Sequence, residues 1–148
     1  MKEVACRPAI EQLQAEFFWK IDRRDAADIA DLFTEDGRLI IPDLANGMKT
    51  TITVAGRAAL TKQWADRPKD LVSRHVFTNL HVVAISETEA SGRCIGLGFR
   101  HQGPGLGLPQ PVIVNDQDDL YSRGDDGLWR FREKRITVTF IAPELLGR

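Results

Sequence analysis

The sequence predicts an α+β fold, with helices first and an antiparallel sheet after them. Two observations predict it. Apolar residues recur at helical spacing in the first half of the chain, and from Ser73 onward the pattern changes to the two-residue alternation of strands. No repeat or linker interrupts the 148 residues, so residues 1–148 read as one domain.

The first helix is expected over residues 8–22. Pro8 suits its first turn, and Ile10, Leu13, Phe17 and Ile21 form one stripe. Phe18 and Trp19 widen the apolar surface. Asp25 is a good N-cap for a second helix running to about Phe33, with Ile29, Leu32 and Phe33 buried. Glu35, Asp36 and Gly37 then turn the chain into a strand over 38–41, which Pro42 ends. Asn46-Gly47 is a turn signal before a strand over 48–54. Gly56 precedes a third helix over 57–66, with Leu60 and Trp64 on one face. Four strands follow, at 74–85, 90–101, 111–123 and 128–141. The Gly/Pro-rich segment 103–111 and the Gly124-Asp125-Asp126-Gly127 turn connect them.

Composition narrows the function classes. A hydrophobic share of 43% allows one sizeable core, and a formal charge of −1 argues against a nucleic-acid binder. No apolar run approaches the roughly 18–20 residues that span a bilayer, and residues 1–6 hold no hydrophobic signal core. The cysteines, Cys6 and Cys94, form no C-x-x-C pattern, so neither zinc nor a redox dithiol is supported. Asp116, Asp118 and Asp119 lack the spacing of a calcium loop. A cytoplasmic protein without metal or cofactor is expected.

The strand beginning at Ser73 carries the chemistry. Alternation puts His75, Phe77, Asn79, His81 and Val83 on one face, so two of the three histidines share a side. Imidazole titrates at about 6.5 as a free side chain and exchanges protons at neutral pH. On the next strand Cys94, Gly96 and Gly98 share a face opposite Ile95, Leu97 and Phe99. The small residues either make room for a ligand or mark bending of the sheet. Phe17, Phe18, Trp19, Trp64 and Phe77 could form apolar walls or simply core. His81 reads as structural or exposed, and His101 borders the Gly/Pro loop. Arg130, Arg132 and Lys134 alternate on the last strand and read as a solvated face.

Three stretches and the closing strand together resemble the nuclear transport factor 2-like superfamily and, within it, the SnoaL-like group. They are residues 17–25 (FFWKIDRRD), residues 54–57 (VAGR), residues 73–79 (SRHVFTN) and the final-strand residues 129–135 (WRFREKR). The resemblance implies a cone-shaped, strongly curved and mostly antiparallel sheet wrapped around about three N-terminal helices. The pocket would lie inside the cone, and a homodimer would form through the outer sheet face. It implies that Asp22, at the helix exit, faces His75 across that pocket as its orienting partner. The alternative for Asp22 is a solvated turn residue paired with Arg23 or Arg24. The function implied is a cofactor-independent lyase or isomerase, dehydratase- or cyclase-like. His75 and Asp22 would act by acid–base chemistry on a hydrophobic, carbonyl-bearing ring compound. Asn79, Phe18, Trp19, Trp64, Phe77, Cys94 and Gly98 are the expected substrate contacts.

The chain departs from the dehydratase pattern at two places. Phe17 and Phe18 stand where several of those enzymes have a tyrosine, and residues 93–99 contain no carboxylate. Two alternatives follow: a non-catalytic small-molecule-binding domain, or a small subunit of a ring-hydroxylating dioxygenase. An epoxide hydrolase would need an Asp-Arg-Asp site, at which Arg93 or Arg100 with Asp22 only hints.

Overall fold

The computed structural model describes residues 5–23, 26–107 and 110–146. Helix α1 (Arg7–Arg23) is followed by the short α2 (Ala26–Ala30), strand β1 (Phe33–Pro42), strand β2 (Thr51–Ala55) and α3 (Arg57–Ala65). Strands β3 (Leu71–Ala84), β4 (Glu89–Gln102), β5 (Ile113–Arg123) and β6 (Trp129–Ile141) complete one sheet in the order β2-β1-β6-β5-β4-β3. All neighbours are antiparallel except β1 and β6, which run parallel. The sheet is mixed, curved and not closed, and the helices pack on its inner face, as the expected cone requires.

The core forms where the stripe of α1 meets that inner face. Phe17 sits at its centre, with ring centroids 5.3 Å from Phe18, 5.9 Å from Trp64, 6.0 Å from Phe33 and 5.4 Å from Phe131, all edge-on. Such aromatic pairs add roughly 0.5–1.5 kcal/mol each beyond burial. At the entry to α3, Gly56 takes φ 81°, in the left-handed region that favours glycine, and Arg57 donates through Nη2 to the Phe33 carbonyl at 3.0 Å.

Several expected boundaries move. The second helix ends at Ala30 rather than near Phe33, and Phe33 opens β1. Glu35, Asp36 and Gly37 lie within that strand at a register shift against β6, not in a turn before it. A Cβ on Gly37 would lie 2.8 Å from Phe33 Cβ, so the irregularity leaves no room for a side chain. Strand β2 starts at Thr51, because Leu44–Asn46 form a 3-10 turn closed by Gly47 at φ 60°. Asp25, the expected cap of α2, lies outside the described residues, as do residues 1–4.

Bulges in β3 and β6 decide which side chains point inward. In β3, Thr78 pairs with Ile95 and His81 with Arg93, so β3 carries one extra residue. Asn79 supplies the bend with φ 57°, a left-handed conformation that asparagine tolerates. In β6, Phe131 pairs with Tyr121 and Glu133 with Leu120, leaving Arg132 as the extra residue. Each insertion reverses the alternation beyond it. Lys134 therefore points inward and is fully buried, which corrects the expectation of a solvated Arg130, Arg132 and Lys134 face.

Candidate active site

Asp22 leaves the end of α1 and meets the start of β3. Its Oδ1 accepts from His75 Nδ1 at 2.7 Å and from the Ser73 hydroxyl at 2.9 Å, and its Oδ2 accepts from the His75 backbone N–H at 2.8 Å. A carboxylate can only accept, so the proton of neutral His75 sits on Nδ1 and the lone pair on Nε2. Burial raises the Asp22 carboxyl, but the bonds from His75 and Ser73 outweigh it and hold the group below its ordinary 3.8. Arg67, just beyond α3, donates to the Ile21 carbonyl at 3.3 Å and to Ser73 Oγ at 3.4 Å, which fixes the hydroxyl behind the carboxylate.

The sign of the resulting pH dependence follows. A carboxyl whose folded value is depressed stabilises the fold fully above its unfolded value, and that contribution disappears as pH falls through the lower folded value. The parent chain is therefore expected to lose stability more steeply than Asp22→Asn below about pH 4. Urea melts across the acid range measure this, and parallel curves would count against the depressed carboxyl.

His75 stands at the wall of a half-open cavity of about 330 Å³. Phe18 stacks on its ring, 5.5 Å between centroids and 15° between planes, and holds its orientation. Gly98 pairs with His75 across β3 and β4; a Cβ there would lie 2.5 Å from Ile113 Cγ2 and 3.7 Å from His75 Nε2. The glycine therefore keeps the Nε2 side of the imidazole clear. Trp64, Leu39, Ile41, Ile136 and Val138 supply apolar wall, and Asn115, Gln117, Arg67 and Arg100 supply polar groups.

The other expected contact residues separate into two groups. Phe18 and Trp64 line the cavity. Phe77 lies behind the lining, stacked on Phe18 at 5.9 Å. Cys94 faces inward but is sealed in, with its Sγ 3.7 Å from Gln117 Oε1 and its thiol pushed up to about 11 by burial. Asn79 is exposed, because the bulge it forms turns it out of the cavity. His81, placed beyond that bulge, is also exposed, while Leu80 packs on the core. Trp19 is 57% exposed, with the Arg23 guanidinium 4.1 Å above its ring, on the side of α1 away from the sheet. Arg93 is exposed, and Arg100 forms no ion pair with Asp22, so the epoxide hydrolase arrangement is not assembled among the described residues.

Sequence reasoning missed the polar stripe of β5. Asn115, Gln117, Asp119 and Tyr121 alternate inward, and Gln117 Nε2 donates to Asn115 Oδ1 at 2.9 Å. A period-two reading from Ile113 would have found them. Deeper in the cone, Asp119 Oδ2 accepts from Lys134 at 2.8 Å, from Tyr121 at 3.0 Å and from Gln14. Lys134 also donates to Gln14 Oε1 at 3.1 Å and lies 4.6 Å from the Phe131 ring centroid. Burial raises the Asp119 carboxyl, and Lys134 opposes that rise. The single tyrosine, Tyr121, is thus committed to a buried network and is absent from the cavity wall. Among the described residues, no group of three or more His, Cys, Asp or Glu side chains could hold a metal ion, and no helix is long and apolar enough to cross a membrane.

The family model of the SnoaL-like domain matches residues 2–135. Solved structures are similar over most of the chain. A candidate scytalone dehydratase from Novosphingobium aromaticivorans is 22% identical with a TM-score of 0.75, covering 90% of this chain and 84% of that one. An NTF2-like protein with a cystatin-like fold from the same species is 22% identical with a TM-score of 0.73, covering 89% and 80%. A hexachlorocyclohexane dehydrochlorinase is 20% identical with a TM-score of 0.74, covering 92% and 86%. At these identities the likeness is one of fold. No curated protein matches the chain in sequence.

Proposed function

This chain belongs to the SnoaL-like domain family, and from that premise we propose that it is a cofactor-independent lyase or isomerase acting on a hydrophobic, carbonyl-bearing ring compound. The observation that carries the reading is the 2.7 Å Asp22–His75 contact at the wall of an apolar cavity. His75 Nε2 takes a proton from the carbon next to the carbonyl, and Asp22 stabilises the imidazolium that forms. In an elimination, the enolate expels a β-hydroxyl, which leaves as water after taking a proton back from His75. In an isomerisation, the same proton returns to a different carbon. Dehydration and dehydrochlorination, the reactions named for two of the similar structures, are both eliminations. A volume of about 330 Å³ lies at the small end of ligand pockets, roughly 300–1,000 Å³, and suits one or two fused rings. The test is turnover of a panel of β-hydroxy and β-halo cyclic ketones without added cofactor, followed by ultraviolet absorbance of the enone. Silence across the panel, with saturable binding of its members, would favour the second reading.

That second reading is a non-catalytic binding domain. It is supported by the withdrawal of Tyr121 from the cavity and by the phenylalanines at the expected tyrosine position.

The homodimer reading rests on the outer sheet face. Val76, Leu97, Val114 and Phe140 are cross-strand neighbours there, with Val76 50% and Phe140 71% exposed. Adjacent exposed apolar side chains in one row mark an association surface. Phe140→Glu is expected to shift a dimer to monomer in sedimentation experiments; an unchanged sedimentation coefficient would reject this face. The free thiols of Cys6 and Cys94 support a reducing, cytoplasmic setting.

A further inference from the structure

Arg100 is the cavity group that the acid–base pair leaves unexplained. It extends inward from β4 directly opposite Ser73, whose hydroxyl is bonded to Asp22. It is a diagonal neighbour of His75, about 7–8 Å away by the spacing of a sheet. Its Nε is out of contact with solvent and has no hydrogen-bond partner among the described residues, and no described carboxylate pairs with its guanidinium. Burial pulls that guanidinium below its ordinary value. A buried donor left in this state costs the fold free energy unless something completes it.

The cavity as a whole has the same bias. Two guanidinium groups, Arg67 and Arg100, are among the described residues that line it, and the carboxylate behind its wall, Asp22, is already bonded to His75 and Ser73. Arg67 already donates to Ile21 and Ser73. Asn115 and Gln117 line the same cavity farther along the sheet, over Gly96, and can add donors to an oxygen-rich part of a ligand. Planar guanidinium matches a carboxylate with two parallel N–H···O bonds.

We propose that Arg100 receives an anionic oxygen group of the ligand, a ring carboxylate or a phenolate, and so holds the ring with its reacting carbon at His75 Nε2. The proposal rests on the lyase or isomerase reading only for the second clause; anion recognition stands without it. Arg100 supplies from β4 the polar anchor that the missing tyrosine and acid leave unfilled. The substrate class narrows accordingly, from hydrophobic ring ketones to ring compounds bearing one negative charge a ring's width from the labile proton.

Binding of 2-naphthoate and of its neutral counterpart 2-naphthamide tests the assignment by calorimetry, since neither probe can react. The parent chain is expected to bind the carboxylate at least tenfold more tightly than the amide. Arg100→Met should bring the two within about twofold while leaving the amide unchanged, and Arg100→Lys should keep part of the preference. Arg100→Met should also melt no lower than the parent, because it removes a buried donor that has no partner among the described residues; a structural arginine would give a lower melting point. Equal affinities in the parent, a preference that survives Arg100→Met, or no binding of either probe each overturns the proposal. His75→Ala is expected to retain the preference. A chain that binds the anion but turns nothing over therefore fails the catalytic reading alone, and one that turns over neutral ketones without preferring the anion fails this one alone.

Discussion

Replacing His75 by alanine is expected to lower turnover by about 10²–10⁴-fold, the usual contribution of a positioned general base. The fold should survive, because His75 is a partly exposed member of the cavity wall, stacked on Phe18, and the Asp22 carboxylate keeps its bonds from Ser73 and from the backbone N–H of residue 75. His75→Gln, which keeps more of the volume, serves as the second variant and should be as inactive. Asp22→Asn should act through His75. It keeps the side chain's shape but replaces the carboxylate that fixes the Nδ1–H tautomer and stabilises the imidazolium. The double variant is then expected to be little worse than His75→Ala, since both changes remove one unit. Single-turnover rates with any substrate identified from the ketone panel, together with circular dichroism, measure both effects. Parent-like rates in folded His75→Ala would remove this residue from the chemistry.

Replacing Lys134 by methionine should have the largest effect on stability, a loss of about 3–5 kcal/mol. Lys134 and Asp119 have fully buried side chains, and Lys134 is the cation that pairs with the Asp119 carboxylate. Without it the carboxylate keeps only the hydrogen bonds from Gln14 and Tyr121. Asp119 Oδ1 already has no partner among the described residues, so nothing nearby can replace the charge. For a domain of this size the loss corresponds to a fall in melting temperature of roughly 6–20 °C. Adding Asp119→Asn to Lys134→Met should recover most of it, since no buried charge then remains. A melting temperature within a degree of the parent would show that the pair is not held ionised in the core.

The helices were legible because their signals are local, whereas the curvature of the sheet came with the family resemblance. Ile10, Leu13, Phe17 and Ile21 define one face of α1 through helical geometry alone, and the structure buries all of them. The meeting of Asp22 with His75 was reached through family resemblance, since 53 residues separate the two and no local rule joins them. The placements that failed share one cause. Counting in twos puts Asn79 inward and Lys134 outward, and each lies at or beyond a bulge that adds a residue to its strand; His81, read as structural or exposed, is exposed. Trp19 went astray differently. An amphipathic stripe says which side of a helix is apolar, but not how far around the helix the sheet reaches.

By itself, then, the sequence determined the order and type of the elements, the apolar stripe of α1, and the presence of a histidine near the start of the long third strand. These follow from periodicity and turn chemistry, which act over a few residues. Only the tertiary structure decided which polar groups face inward. It closed Ser73 and His75 on Asp22, committed Tyr121 to the Asp119–Lys134 network, turned Asn79 out to solvent, and left Arg100 in the cavity with its Nε unpartnered among the described residues. The physical reason is that a buried polar group is defined by what lies opposite it across the sheet. Strand register and bulges set that partner, and both depend on the whole fold.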